Sequence, residues 1–195
     1  MKILIATGNP GKFKEISGIL GESGHEFISL SELGIEVDFE EIGESFEEIA
    51  LAKASHFAGL SGLPTIADDS GIFITVLADE LGLKTRRWGA GEHASDSEWL
   101  DVFMNRMKDE KDRSAKFVCA AAFVNGEESF VHVEHTEGLI SGRVEVEIKV
   151  GLPLSSVFKP VPYDKVYSAL SDEEKNKISH RGKAFKKLLK TLKNA

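Results

Sequence analysis

Ile3-Leu4-Ile5-Ala6-Thr7-Gly8-Asn9-Pro10-Gly11-Lys12 passes from a short apolar run, through a glycine-rich turn, into a helical pattern. Strand, glycine turn, lysine and helix together make an anion-binding arrangement. Glycines allow the backbone to approach an anion closely, the following helix directs free N–H groups and its positive dipole end at it, and Lys12 adds a full charge. A nucleotide is therefore the first ligand to consider. The spacing differs from the Walker A pattern, which needs four residues between its first glycine and Gly-Lys-Ser/Thr, and from the dinucleotide fingerprint. An ordinary strand-to-helix turn with a solvated lysine fits the same residues, so the turn alone does not choose.

Outward from this turn, Phe13, Ile16, Ile19 and Leu20 recur at helical spacing until Gly21 and Gly24 stop the pattern. Ser45-Phe46-Glu47-Glu48 has capping-box form, and Phe46, Ile49, Ala50, Lys53, Ala54 and Phe57 follow as one helical stripe. Leu63 to Ala67 reads as a short buried strand running straight into Asp68-Asp69-Ser70-Gly71. That puts two carboxylates at a strand's carboxyl end, where open α/β sheets place their ligands. Ser95 with Glu98 caps a helix burying Trp99, Phe103 and Met107. Phe117 to Val124 and Phe130 to Val133 flank Asn125-Gly126, a hairpin signal. Val144, Val146, Ile148 and Val150 alternate with charged residues, which predicts a strand with one wet face. Ser171 with Glu174 opens a short helix, and after Ser179-His180-Arg181-Gly182 the residues Phe185, Leu188, Leu189 and Leu192 predict an amphipathic one. Helices near both ends and hairpin-paired strands imply a mixed, α+β-like sheet with two lobes.

The chain has 195 residues, 42% of them hydrophobic, and 5 prolines, enough for one compact domain or two small lobes around a cleft. A net charge of -8 disfavours a nucleic-acid backbone as partner, since phosphate binding on that scale needs a basic face. The single cysteine, Cys119, lies in an apolar run and reads as a buried structural thiol in a reducing compartment. No apolar segment approaches the ~18 residues of a membrane span, and no signal-type apolar region follows Met1-Lys2. The expectation is a soluble cytoplasmic protein without a membrane partner.

Beyond the first turn, three clusters carry potential chemistry. Asp38, Glu40 and Glu41, and then Asp68-Asp69, offer the hard oxygens magnesium requires, of which it usually takes only one or two beside substrate phosphates. A metal bridging phosphates, with an aspartate beside the attacking water, is the usual machinery for splitting a phosphoanhydride. Glu40 and Glu41 read equally as a solvated acidic loop, whereas carboxylates at the end of an apolar strand are seldom a surface accident. The third cluster, Lys175-Asn176-Lys177-Ile178-Ser179-His180-Arg181, offers directional donors for a base edge or phosphate, and also reads as a solvated face. His56, His93, His132 and His135 lack metal-ligand spacing.

Thr7-Gly8-Asn9 through Lys12, Ser45-Phe46-Glu47-Glu48, Ala67-Asp68-Asp69-Ser70-Gly71 and Ser179-His180-Arg181-Gly182-Lys183-Ala184, in this order, resemble the inosine triphosphate pyrophosphatase family over nearly the whole chain. The resemblance implies an α/β fold with two lobes around a central cleft, an elongated mixed β-sheet flanked by helices, and a single catalytic domain over residues 1–195. It implies magnesium-dependent hydrolysis of ITP, dITP and XTP to monophosphate and pyrophosphate, a housecleaning role in nucleotide metabolism, and a homodimer. By position, Thr7, Gly8, Asn9, Pro10, Gly11 and Lys12 would hold the triphosphate. Glu40 or Glu41 would ligand magnesium, together with Asp68 and Asp69. Asp69 would also accept the water's proton, with Lys53 as the second catalytic residue, while Ser70, Arg87, Lys175, His180 and Arg181 would contact substrate. Where the family carries Phe-Gly-Tyr-Asp-Pro to bind the purine, this chain has Leu152-Pro153-Leu154-Ser155-Ser156. Aromatic stacking on a base is worth about 1 to 3 kcal/mol, and leucine has no π face. The same reaction with shifted base preference, or binding without turnover, are the alternatives this departure opens.

Overall fold

The computed structural model describes residues 1–37, 39–78, 80–91 and 93–193, with the side chains of Glu22 and Arg87 outside that description. The elements in chain order are β1 (Lys2–Ile5), α1 (Pro10–Leu20), β2 (Glu26–Ser29), α2 (Phe46–Ser61), β3 (Thr65–Ile74), α3 (Asp96–Met107), β4 (Ser114–Asn125), β5 (Glu128–Ile140), β6 (Phe158–Pro160), α4 (Asp172–Ile178) and α5 (His180–Leu192). The six strands form one mixed sheet in the order β2-β1-β3-β4-β5-β6. β1 pairs in parallel with β2 and β3, and β5 pairs antiparallel with β6. The expected mixed α/β sheet with flanking helices is thus borne out.

The chain divides into two compact units, and β3, β4 and β5 each pass from one into the other. The first unit holds residues 1–69, 119–134 and 180–195. Ile3, Leu4, Ile5 and Ala6 are all fully buried, as expected for a parallel strand covered on both faces. Ile16 and Leu20 of α1 pack with Ile66, Cys119, Phe123, Phe185 and Leu188. Every residue of the predicted α2 stripe is buried. The Ser45 side chain accepts from the Glu48 backbone N–H, but the Glu48 carboxylate takes the Glu44 N–H rather than that of Ser45, so only half of the expected capping box forms.

The second unit holds residues 70–118 and 135–179. Its core joins Trp99, Phe103 and Met107 of α3 to Ile72, Ile74, Leu154, Phe158 and Tyr167. Arg113 fastens this unit by donating to the carbonyls of Met107, Ile140 and Ser141 at 2.7 to 2.8 Å. No helix among the described residues is long and apolar enough to cross a membrane.

Four local expectations need correction. β3 runs ten residues, to Ile74, so Asp68 and Asp69 sit in mid-strand. It is β1 that ends there: its register with β3 stops at Ile5 opposite Ile66, leaving the two aspartates just past the carboxyl end of a neighbouring parallel strand. Val144 to Val150 is irregular and pairs with no strand among the described residues; β6 instead takes the β5 edge at residues 138–140. The segment's contacts there are single ones, such as Glu145 N–H to the Ser156 carbonyl at 3.2 Å. The hairpin turn is Gly126-Glu127; Gly126 takes φ +60° while no described non-glycine residue has positive φ, the pattern of a turn with glycine first rather than second. α5 begins at His180 itself, since the extended Ser179 (ψ 152°) breaks only one residue between α4 and α5.

Candidate active site

The turn after β1 builds a helix start. Asn9 caps α1 through its side-chain oxygen, which accepts the Lys12 N–H at 3.0 Å, and its own N–H donates to Thr7 Oγ1 at 3.2 Å. Pro10 opens the helix, where its lack of an N–H costs nothing. Gly8 and Pro10 are exposed, and Thr7, Gly11 and Lys12 are half-buried. Lys12, in the first turn, reaches back to Asp68 Oδ2 at 3.1 Å.

Asp68, 1% exposed, is the hub of the first unit's charged cluster. The same Oδ2 lies 3.4 Å from Arg181 Nε and 3.3 Å from Arg181 Nη2, and its main-chain carbonyl accepts from Lys53 Nζ at 3.3 Å. Lys53 also pairs with Glu41. Burial alone would raise the Asp68 carboxyl, but Lys12, Arg181 and Lys53 outweigh it and hold it far below the usual carboxylate range. Burial likewise opposes ionisation of Glu41, and Lys53 and Lys12 overcome it. Burial would lower the Lys12 ammonium, yet Asp68, Asp69 and Glu41 together raise it. Lys12 therefore stays charged.

Asp69 has the opposite fate. It is 6% exposed, and its carboxylate makes no hydrogen bond or ion pair among the described residues. Burial pushes it up, Lys12 and Lys53 pull it down, and Glu41 and Asp68 add to the rise, leaving it at about 6. Two adjacent carboxylates are thus driven apart: one is locked as an anion, and its neighbour is poised to take a proton near neutrality.

The remaining predicted residues fall in several places. Glu40 is exposed, and Asp38 lies outside the described residues. His180 and Arg181 are both 4% exposed in the first turn of α5. All three guanidinium nitrogens of Arg181 face carboxylates, Nη1 meeting Glu15 Oε2 at 2.5 Å. Ser70 follows in β3, half-buried. In the second unit, Lys175, 3% exposed, donates to Ser155 Oγ at 3.2 Å and lies over the Tyr167 ring at 5.3 Å. Ser155 belongs to the short turn Pro153–Ser156. Leu154 turns into that unit's core, while Leu152 and Pro153 are half-buried. The backbone of Arg87 closes the turn Gly82–Arg87, its side chain lying outside the description. Among the described residues no three His, Cys, Asp or Glu side chains converge on a metal position. Cys119 is fully buried, and burial pushes its thiol well up, consistent with a structural role. Sequence reading missed Glu15 and Tyr167. Glu15's one local signal was its place three residues after Lys12, on the same helical face.

A parallel strand, a capped helix start, one buried and one half-buried lysine and a buried aspartate raised to about 6 mark a phosphate-handling α/β protein. The model of the Ham1 family matches residues 3–191, and this chain belongs to that family. It is 36% identical over 199 residues to the dITP/XTP pyrophosphatase of Photorhabdus laumondii, covering 100% of this chain and 99% of that one. The dITP/XTP pyrophosphatase of Bacillus subtilis is 38% identical over 192 residues, at 97% and 96% coverage. A Ham1 protein structure from Coxiella burnetii superposes with TM-score 0.82 at 32% identity, covering all of both chains. The resemblance read from the motifs is borne out.

Proposed function

We propose that this chain hydrolyses deaminated purine nucleoside triphosphates, ITP, dITP and XTP, to the monophosphate and pyrophosphate. The observation that carries the reading is Asp69, buried, near pKa 6, in a cluster with Lys12, Lys53 and Asp68. Water attacks phosphorus, its proton passes to the Asp69 carboxylate, and the α–β phosphoanhydride breaks with pyrophosphate leaving. Lys12 and Lys53 offset the charge that develops on the leaving group. Thr7 to Gly11 and the α1 start cradle phosphate oxygens.

The donor set suits magnesium, because Asp69 presents hard oxygens with no protein cation bonded to them, and magnesium needs only one or two carboxylates beside phosphates. Asp69 would hold it; of the other expected ligands, Asp68 is engaged by Lys12 and Arg181, Glu41 by Lys53, and Glu40 is exposed. When bound, the ion would neutralise phosphate charge. Ser70, Arg87, Lys175 and His180 are proposed substrate contacts; Arg181, expected among them, has its three guanidinium nitrogens on Glu15 and Asp68 and is proposed to hold the cluster instead. We further propose a cytoplasmic homodimer, which size-exclusion chromatography with light scattering tests. Pyrophosphate and monophosphate released from ITP with Mg²⁺, and lost in EDTA, are the expected result; ligand-induced thermal stabilisation without release would replace catalysis by binding.

A second reading keeps the reaction and changes the base preference. It is favoured by Leu154 turning into the core and by Ser155 bonding Lys175 where the family carries tyrosine and aspartate. Ranking ITP, XTP and the common triphosphates by kcat/KM separates the two.

A further inference from the structure

Six charged residues of the first unit form a continuous chain with Glu15 at its far end. Glu15 bonds Arg181 Nη1, Arg181 grips Asp68 through Nε and Nη2, and Asp68 holds Lys12 by its carboxylate and Lys53 by its main-chain oxygen. Lys53 then pairs with Glu41. Glu15 and Lys12 both lie on α1, whereas Arg181 arrives from α5, 166 positions away along the chain. With three nitrogens committed to two carboxylates, Arg181 is fixed as a plate between α1, β3 and α5. A guanidinium that shares one carboxylate oxygen between Nε and Nη2 and gives Nη1 to a second carboxylate is set in orientation as well as charge.

We infer that Glu15 is a positioning residue, acting through Arg181 and Asp68 to aim Lys12 and Lys53 at the phosphates; the inference rests on the proposed phosphate chemistry. Glu15 offsets the Arg181 charge, leaving Asp68 to orient two lysines rather than to neutralise one arginine alone. Without Glu15, Arg181 turns more fully onto Asp68, the Asp68 carboxylate follows it, and Lys12 loses its fixed acceptor. Displacements of about 1 Å in such a cradle cost up to about a hundredfold in rate.

The test compares full-length wild type with Glu15→Gln, Glu15→Asp, Arg181→Lys and the Glu15→Gln/Arg181→Lys pair. It measures thermal unfolding, kcat and KM for ITP, and tripolyphosphate binding by calorimetry in EDTA. Expected are a kcat lower by about tenfold in Glu15→Gln, tripolyphosphate bound about fivefold more weakly, recovery of most of both in Glu15→Asp, and a double variant no worse than Arg181→Lys alone. Glu15→Gln with wild-type kcat and tripolyphosphate affinity overturns the inference whatever its unfolding temperature, and so do multiplicative effects in the double variant. Should Glu15→Gln fail to fold, Glu15→Asp decides by the same readouts: a folded Glu15→Asp with a lowered kcat and weaker tripolyphosphate binding supports the inference, and one identical to a folded Glu15→Ala overturns it. Should the wild type turn over no triphosphate, the proposed function fails while tripolyphosphate affinity still judges the relay.

Discussion

Replacing Asp69 with asparagine is expected to stabilise the metal-free protein at neutral pH while removing its activity. The carboxyl stands at about 6 instead of its ordinary 3.8, so the folded protein holds this proton more tightly than the unfolded chain does. Below about pH 4 both states are protonated and the residue is neutral in effect. As pH rises from about 4 to above 6 the folded state must ionise a buried group, and stability falls; at 1.36 kcal/mol per pH unit the loss is about 3 kcal/mol. Asparagine has nearly the same shape and nothing to ionise. Urea unfolding of both proteins in EDTA, from pH 4 to pH 8, therefore gives a stability difference that moves in favour of Asp69→Asn by about 3 kcal/mol across that interval. Turnover of ITP falls by about 10²- to 10⁴-fold, the usual contribution of a general base. A stability difference independent of pH, or one that moves against the variant as pH rises, would refute the claim that Asp69 is a strained base. Wild-type kcat in the variant would refute its catalytic role.

Lys12→Met leaves Asp68 with one fewer cation against its buried charge; unfolding experiments are expected to show a loss of about 3 kcal/mol, and kinetics a raised KM for triphosphate. Ser155→Ala removes the acceptor for Lys175 Nζ; it is expected to cost about 1 to 3 kcal/mol of stability and to change the ratio of kcat/KM between ITP and XTP more than it changes their sum. Gly71→Ala drives a Cβ into the Gly82 carbonyl and the Thr85 hydroxyl, whose own bonds tie the Gly82–Arg87 turn to the Ile72 N–H. A loss of about 1 to 3 kcal/mol in chemical denaturation is expected, and a fully stable variant would show that this turn is not packed against β3.

Legibility followed the range of the forces. The α2 stripe from Phe46 to Phe57 and the boxes at Ser95–Glu98 and Ser171–Glu174 are local, and each formed where its spacing placed it, the boxes completely. Asp68-Asp69 was legible as a pair but not as mid-strand, because two acids and a glycine look like a strand's end when only local propensity is read. Ile72 and Ile74 continue β3 by burial in the second unit's core, a long-range gain that overrides propensity. Val144 to Val150 shows the reverse: alternation that finds no pairing strand among the described residues produces no strand. The short strands β2 and β6, four and three residues, lack the uniform apolar run and glycine turn that made the equally short β1 legible.

The charged cluster of the first unit marks the same boundary more sharply. Its lysines were found by motif, since a turn and a helix start are contiguous in sequence. The difference between Asp68 and Asp69 was not, because alternating strand geometry sends neighbouring side chains to opposite faces. One face receives Arg181 from the far end of the chain and Lys12 from α1; the other receives burial without a bonded cation. Residue type is identical at the two positions, so only the tertiary partners hold one carboxylate as an anion and raise the other, the division on which the proposed roles rest. That division also explains why the pair is a pair. A lone buried base among two lysines would be pulled down and lose its affinity for a proton, whereas Asp68 and Glu41 absorb those cations and let Asp69 remain near neutrality. Weakening Asp68's hold on Lys12 should therefore free positive charge to depress Asp69, making the base weaker even though no atom of Asp69 has changed.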